Sequence, residues 1–238
     1  MREPLERHHD VVAIDLPGFG QSPPQDGEFP TPARLADAVA ATIEDLGLVR
    51  PAVVGNSLGG WVALELARRR GRVSCAVAIA PSGLETPPER AYVIALNELM
   101  RTRARMSVPF ARPLAASAVA RTVLLGGLRA RPWRVAPQVA ASELRDFGCS
   151  PAFQAALRAS VGTRVPTGLS EIRVPVRILF GTLDTMLGAM TAPRFAAAIP
   201  GADLFPLPHA GHVPMDDVPD LLARAILEVT TDAAATSA

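Results

Sequence analysis

Pro51-Ala52-Val53-Val54-Gly55-Asn56-Ser57-Leu58-Gly59-Gly60 decides the reading of this chain. It joins a short β-branched run to a stretch that continues, from about Leu58 to Arg70, with helical periodicity and a basic Arg68-Arg69-Arg70 end before Gly71. Basic residues suit the negative end of a helix dipole, and glycine suits its stop. Gly55-Asn56-Ser57-Leu58-Gly59 therefore sits at a strand-to-helix turn. Glycines two places either side of Ser57 let strand and helix approach closely, so the serine side chain stands clear of the turn. The helix start behind it offers backbone N–H groups and positive dipole to a developing oxyanion.

Working outward, Val11-Val12-Ala13-Ile14-Asp15-Leu16 is another β-branched run, halted by Pro17-Gly18-Phe19-Gly20. It reads as a strand with neighbours and cover on both sides. Thr31-Pro32 opens a helix with one apolar face formed by Leu35, Val39, Ile43 and Leu46. Cys75–Ala80 is a third strand. Strand, helix, strand, helix, strand predicts an α/β fold, a mostly parallel sheet with flanking helices. Beyond it the pattern changes. From about Leu84 to Pro166, helical stretches (90–105, 114–125, 139–146 and 151–160) alternate with Pro-rich joints and show no strand signal. The alternation resumes with a strand at Val174–Phe180, a helix at Ala192–Ile199, a short strand at Ala202–Pro206 and a helix at Pro219–Val229, and the small polar residues 230–238 read as frayed. The predicted organisation is a core of residues 1–83 and 167–238 carrying an inserted helical cap, 84–166.

A serine hydroxyl needs a base, and the base needs a carboxylate to hold its tautomer. Four histidines are available. His8 and His9 lie in a polar run and read as solvent-facing. His209 and His212 follow the last short strand, on a loop where α/β sites are built. His212 is favoured, because Gly211 before it permits a tight approach; His209 reads as structural. Asp184 follows Ile178-Leu179-Phe180 through Gly181-Thr182-Leu183, at a strand's C-terminal end, and is the expected acid. Asp203 begins the final strand, at the other end of the sheet, and Asp216 and Asp217 read as charges at a helix N-terminus.

On these residues the chain resembles the α/β-hydrolases, specifically the lid-bearing esterase, lactonase and C–C bond hydrolase type. Asp15-Leu16-Pro17-Gly18-Phe19-Gly20-Gln21-Ser22, Gly55–Gly60, Ala80-Pro81, Gly181–Asp184 and Gly211-His212-Val213-Pro214 carry the likeness, in the family's order. The resemblance implies Ser57 as nucleophile, His212 as general base and acid, Asp184 as orienting acid and the Leu58 N–H as an oxyanion donor. It implies neither a metal nor an organic cofactor, and a small-molecule substrate cleaved at an ester, lactone or activated C–C bond through an acyl-enzyme. Haloalkane dehalogenases and most epoxide hydrolases of this fold carry aspartate at the position of Ser57, so the serine argues against both. The family's second oxyanion donor comes from a loop that usually begins His-Gly, and this chain contains no His-Gly. Only ten residues precede Val11, so the fold is expected to be N-terminally truncated, with Val11–Asp15 either pairing directly with Pro51–Gly55 to close the gap or standing apart with unsatisfied edges, and with a single oxyanion donor and reduced turnover. Alternative readings are an impaired or ligand-binding relative, and an acyltransferase or perhydrolase on the same site.

Composition narrows the partners. In 238 residues, 49% hydrophobic and 20% charged describe an ordinary globular protein. The net charge of +1, with every basic residue an arginine, gives no pull toward nucleic acid. The polar start and the lack of a long apolar run speak against a signal peptide and a membrane span. Cys75 and Cys149, far apart, read as buried free thiols, and the cytoplasm is the expected location. Residues 84–166 hold twelve arginines against five acids, while the remainder is net negative. A positive cap over a negative core would attract a carboxylate-bearing substrate; alternatively its arginines face water or pair with the core. Trp61 and Trp133 either line a pocket or pack.

Overall fold

The computed structural model describes residues 2–24, 31–150, 152–153, 155–156 and 166–237. Its elements run α1 (Arg2–Glu6), α2 (Pro32–Asp45), β1 (Val53–Asn56), α3 (Leu58–Arg68), β2 (Ala76–Ile79), α4 (Pro87–Ser107), α5 (Ala111–Ala116), α6 (Ala118–Leu125), α7 (Pro137–Cys149), β3 (Val176–Gly181), α8 (Gly188–Ala198), β4 (Asp203–Leu207) and α9 (Pro219–Ser237). The four strands form one parallel sheet in the order β1-β2-β3-β4. Central strand β2 is apolar on both faces, as a covered parallel sheet requires, and β3 is so except at Arg177, which pairs with Asp203 and Glu228. Ala76, Ala78, Val176 and Ile178 face a core built with Leu35, Leu64, Leu66 and Phe195, from α2, α3 and α8. Val77, Ile79 and Leu179 face the opposite core, with Leu222 and Ile226 of α9.

Every described residue between 84 and 166 lies in a helix, a 3-10 turn or a connecting segment, and none joins the sheet. Most of the expected helix at 151–160 lies outside the described residues. The helices of this stretch have their own small core, around Ala104, Ala115, Leu125, Ala140 and Leu144.

Four expectations need correction. Val11–Leu16 is not a strand. Among the described residues β1 has no partner on its outer edge. Val12 and Ile14 are exposed, as is Val54 of β1. β-branched residues favour a strand only where a neighbour supplies the ladder, and here none does. The chain end is not frayed at Thr230: α9 runs on to Ser237, with Thr230 buried and its hydroxyl 2.9 Å from His9 Nε2. His9 is thereby half-buried rather than solvent-facing. Cys149 is exposed, although Cys75 is buried.

Candidate active site

The Gly55–Gly59 turn holds Ser57 at φ 55°, ψ −116°. A non-glycine residue in such a conformation costs about 1–3 kcal/mol and persists only where its surroundings over-determine it. They do so here. The Ser57 N–H donates to Ile79 O (2.8 Å), and the Ser57 carbonyl accepts from Trp61 N (3.1 Å) and Ser82 N (3.3 Å). The glycines matter sterically: a Cβ on Gly55 would lie 2.0 Å from Gly59 O, and one on Gly60 3.1 Å from Pro81. Ser57 heads α3 without capping it, so its hydroxyl is not spent on the helix N-terminus. As the first residue of α3, Leu58 has an N–H with no acceptor inside the helix.

Asp184 and His212 meet. His212 Nδ1 lies 3.0 Å from Asp184 Oδ2, with both side chains buried. Asp184 is held by three backbone donors, Met186 N (2.7 Å) and Leu187 N (3.1 Å) to Oδ1 and Gly188 N (2.8 Å) to Oδ2. Burial alone would raise its carboxyl pKa. The bond and charge of His212 and the N–H groups of Leu187 and Met186 outweigh burial and hold it below the usual carboxylate range. An ionised Asp184 accepts the Nδ1 proton of His212, which leaves Nε2 as the ring nitrogen able to act as a base.

Ser57 and His212 line one cavity of about 770 Å³, shared with β1, α4, Trp61 and Met186. Among the described residues no hydrogen bond joins the Ser57 hydroxyl to His212. Apo sites often hold such groups loosely. His209 is elsewhere: it sits at φ 61° on an exposed turn, its N–H donating to Thr182 Oγ1. Asp203 pairs with Arg177 at the start of β4. Trp61 is buried against the cavity and donates to Glu65, whereas Trp133 is half exposed.

Two positioning groups escaped the sequence reading. Asn56 Nδ2 donates to Ile79 O (3.1 Å) and to His212 O (3.0 Å), tying the serine turn to the histidine loop. Asp217, expected as a helix-terminal charge, is buried and accepts from Gly211 N (2.8 Å), Ala130 N (2.9 Å) and Arg131 N (2.7 Å). Its neighbour Asp216 pairs with buried Arg129, which also bonds Glu143. With Val213 N donating to Leu128 O (2.8 Å), the loop between α6 and α7 is stitched to the segment that carries His212. Only the acid six residues after Gly211 hinted at this, and sequence separation hid its partners.

The sequence matches the Alpha/beta hydrolase family over residues 1–225. The chain belongs to that family. It is 32% identical over 211 residues to epoxide hydrolase EphH of Mycobacterium tuberculosis, a match covering 82% of this chain and 92% of the relative. It is 31% identical over 224 residues to a pimeloyl-[acyl-carrier protein] methyl ester esterase of Aromatoleum aromaticum, covering 90% of this chain and 84% of that one. Among solved structures, an esterase from Thermogutta terrifontis superposes with TM-score 0.67 at 23% identity, over 92% of this chain and 78% of its own, a likeness of fold. This α/β-hydrolase is a hydrolase by kinship, and no helix among its described residues is long and apolar enough to cross a membrane.

Proposed function

We propose that the protein is a serine hydrolase that cleaves an ester, a lactone or an activated C–C bond of a small substrate. The observation that carries this reading is the buried Asp184–His212 pair opening onto the same cavity as the strained Ser57 turn. His212 Nε2 takes the Ser57 hydroxyl proton as Oγ attacks the substrate carbonyl. The Leu58 N–H faces the oxyanion as a preorganised donor, worth about 3–4 kcal/mol of transition-state stabilisation. Collapse of the tetrahedral intermediate expels the leaving group, protonated by His212, and leaves an acyl-Ser57. Water, deprotonated by His212, then releases the acid and restores the serine. Residues 84–166 serve as a cap over this cavity. Their described part reaches it through Arg90, Val93, Ile94, Asn97, Leu128 and Phe147. The protein works in the cytoplasm.

Epoxide hydrolysis, the activity named for EphH, fits the residue at the turn poorly. A carboxylate that opens an epoxide forms an ester, which water can cleave. Serine would form an ether, which histidine-activated water does not cleave. Turnover of 4-nitrophenyl acetate and of styrene oxide tests the choice. Ester hydrolysis that disappears in Ser57→Ala is the expected result; epoxide turnover retained in Ser57→Ala overturns the proposal.

A further inference from the structure

We propose that this cavity takes an acyl group ending in a carboxylate, and that Arg90 holds that carboxylate; the assignment rests on the hydrolase reading for where the reacting carbonyl sits. One face of α4 turns to the cavity. Arg90, Val93, Ile94 and Asn97, spaced i, i+3, i+4 and i+7, all line it together with Ser57 and His212. Glu89, one position earlier, points elsewhere and is paired with Arg194 at 2.5 and 2.7 Å.

Three other inward arginines described in residues 84–166 are bonded within the protein, whereas Arg101, whose Nε is buried without a partner, does not line the cavity. Arg121 donates to the carbonyls of Ala115, Ala116 and Trp133. Arg129 binds Asp216 and Glu143, and Arg131 reaches Asp217 O. Arg90 differs from all three: it is half-buried, it is the one arginine among the described residues that lines the cavity, and its guanidinium makes no hydrogen bond or ion pair with any described residue.

Three acids share the lining, and none neutralises Arg90 by contact. The Glu85 carboxylate is buried and accepts from Gly83 N (2.8 Å). The Asp15 carboxylate accepts from Gln21 N (2.9 Å). Asp10 is exposed. The rest of the lining is mainly aliphatic and aromatic, with Val39, Ile43, Val53, Leu66 and Met186 among it. A guanidinium at such a wall gains little from a neutral acyl chain. It gains two parallel charge-assisted hydrogen bonds from a carboxylate, in surroundings that screen less than water. The site thus reads as an apolar trough with one unpaired arginine among its described residues, suited to the monoester of a short dicarboxylic acid.

The experiment compares 4-nitrophenyl monoesters of succinate, glutarate and adipate with neutral 4-nitrophenyl esters of matching length. The ratio of kcat/KM, acidic over neutral, is measured for the wild type, Arg90→Gln and Arg90→Lys. The wild type is expected to favour at least one acidic ester by tenfold or more. Arg90→Gln should cut that ratio at least tenfold, and Arg90→Lys should fall between them. No acidic preference at any length, or the same ratio in Arg90→Gln, overturns the proposal. A separate measurement does not depend on catalysis: glutarate should raise the Tm of the wild type more than that of Arg90→Gln. If no ester is turned over, the hydrolase reading fails by itself and the Tm comparison decides the Arg90 assignment. Equal shifts in the two proteins would then overturn it.

Discussion

Ser57, Asp184 and His212 were legible from sequence because each stands in a local pattern whose physics is short-ranged. Gly55 and Gly59 announce a close strand–helix approach, and the turn after β3 places Asp184 at a strand end. Asn56 and Asp217 were not legible, since the bonds that tie them to distant segments span 156 and 87 residues. Asp217 yields a sharp expectation. Removing it leaves three backbone N–H groups without their acceptor, and each such donor costs about 1–3 kcal/mol where it is buried. Asp217→Ala should therefore lose about 3 kcal/mol or more, which lowers Tm by roughly 6–12 °C for a chain of this size. Because Gly211 adjoins His212, ester turnover should also fall by about tenfold to hundredfold. Asp216→Asn, which loses only the Arg129 pairing, should keep most of both. Calorimetry and 4-nitrophenyl acetate turnover on the two variants check this, and equal behaviour would remove Asp217 from the site's support.

At the scale of elements, the helices were read well where caps and periodicity agreed. α2 begins at Pro32 behind Thr31, whose hydroxyl accepts from Arg34 N at 3.4 Å. α4 starts three residues before the expected Arg90, because Thr86 and Glu89 form a capping box around Pro87. Glu89 also joins α4 to α8 through Arg194. Its hydrogen bond with Arg194, aided by the Thr86 N–H, holds its carboxyl at about 2 against an ordinary 4.5. The folded state therefore favours the ionised form. The stabilisation is complete above pH 4.5 and is lost as pH falls toward about 2. The pair is partly exposed, so its contribution to stability is small. Glu89→Gln should melt below the wild type at pH 7, and the difference should close between pH 4.5 and about 2. A constant difference over that range would show that Glu89 contributes by packing, not by charge.

For the whole molecule, the parallel sense of the sheet follows from the alternation of elements, and all four observed strands were anticipated to within two residues. The strand reading of Val11–Leu16 failed for a non-local reason. Residue preference marks a segment that can enter a sheet, whereas entry depends on an available edge beside it. The outer edge of β1 and the Val11–Leu16 segment both line the cavity, yet no ladder joins them. Val12, Ile14, Leu46, Val49 and Val54 are left exposed nearby. Unpaired strand edges with apolar side chains promote association, and lysine on such an edge suppresses it. Val54→Lys should reduce concentration-dependent light scattering while moving stability by no more than about 0.5 kcal/mol. Unchanged scattering would mean that this edge is not where molecules meet.

The proposed activity turns on Ser57 being activated by the Asp184–His212 pair. The most direct measurement is covalent trapping by a fluorophosphonate, read by intact mass and by peptide mapping. The wild type should gain one adduct, carried by Ser57. Labelling should be absent in Ser57→Ala and slowed by at least a hundredfold in His212→Ala, with both variants folded by circular dichroism. An adduct on another residue, or labelling of Ser57 at the same rate without His212, would contradict the account.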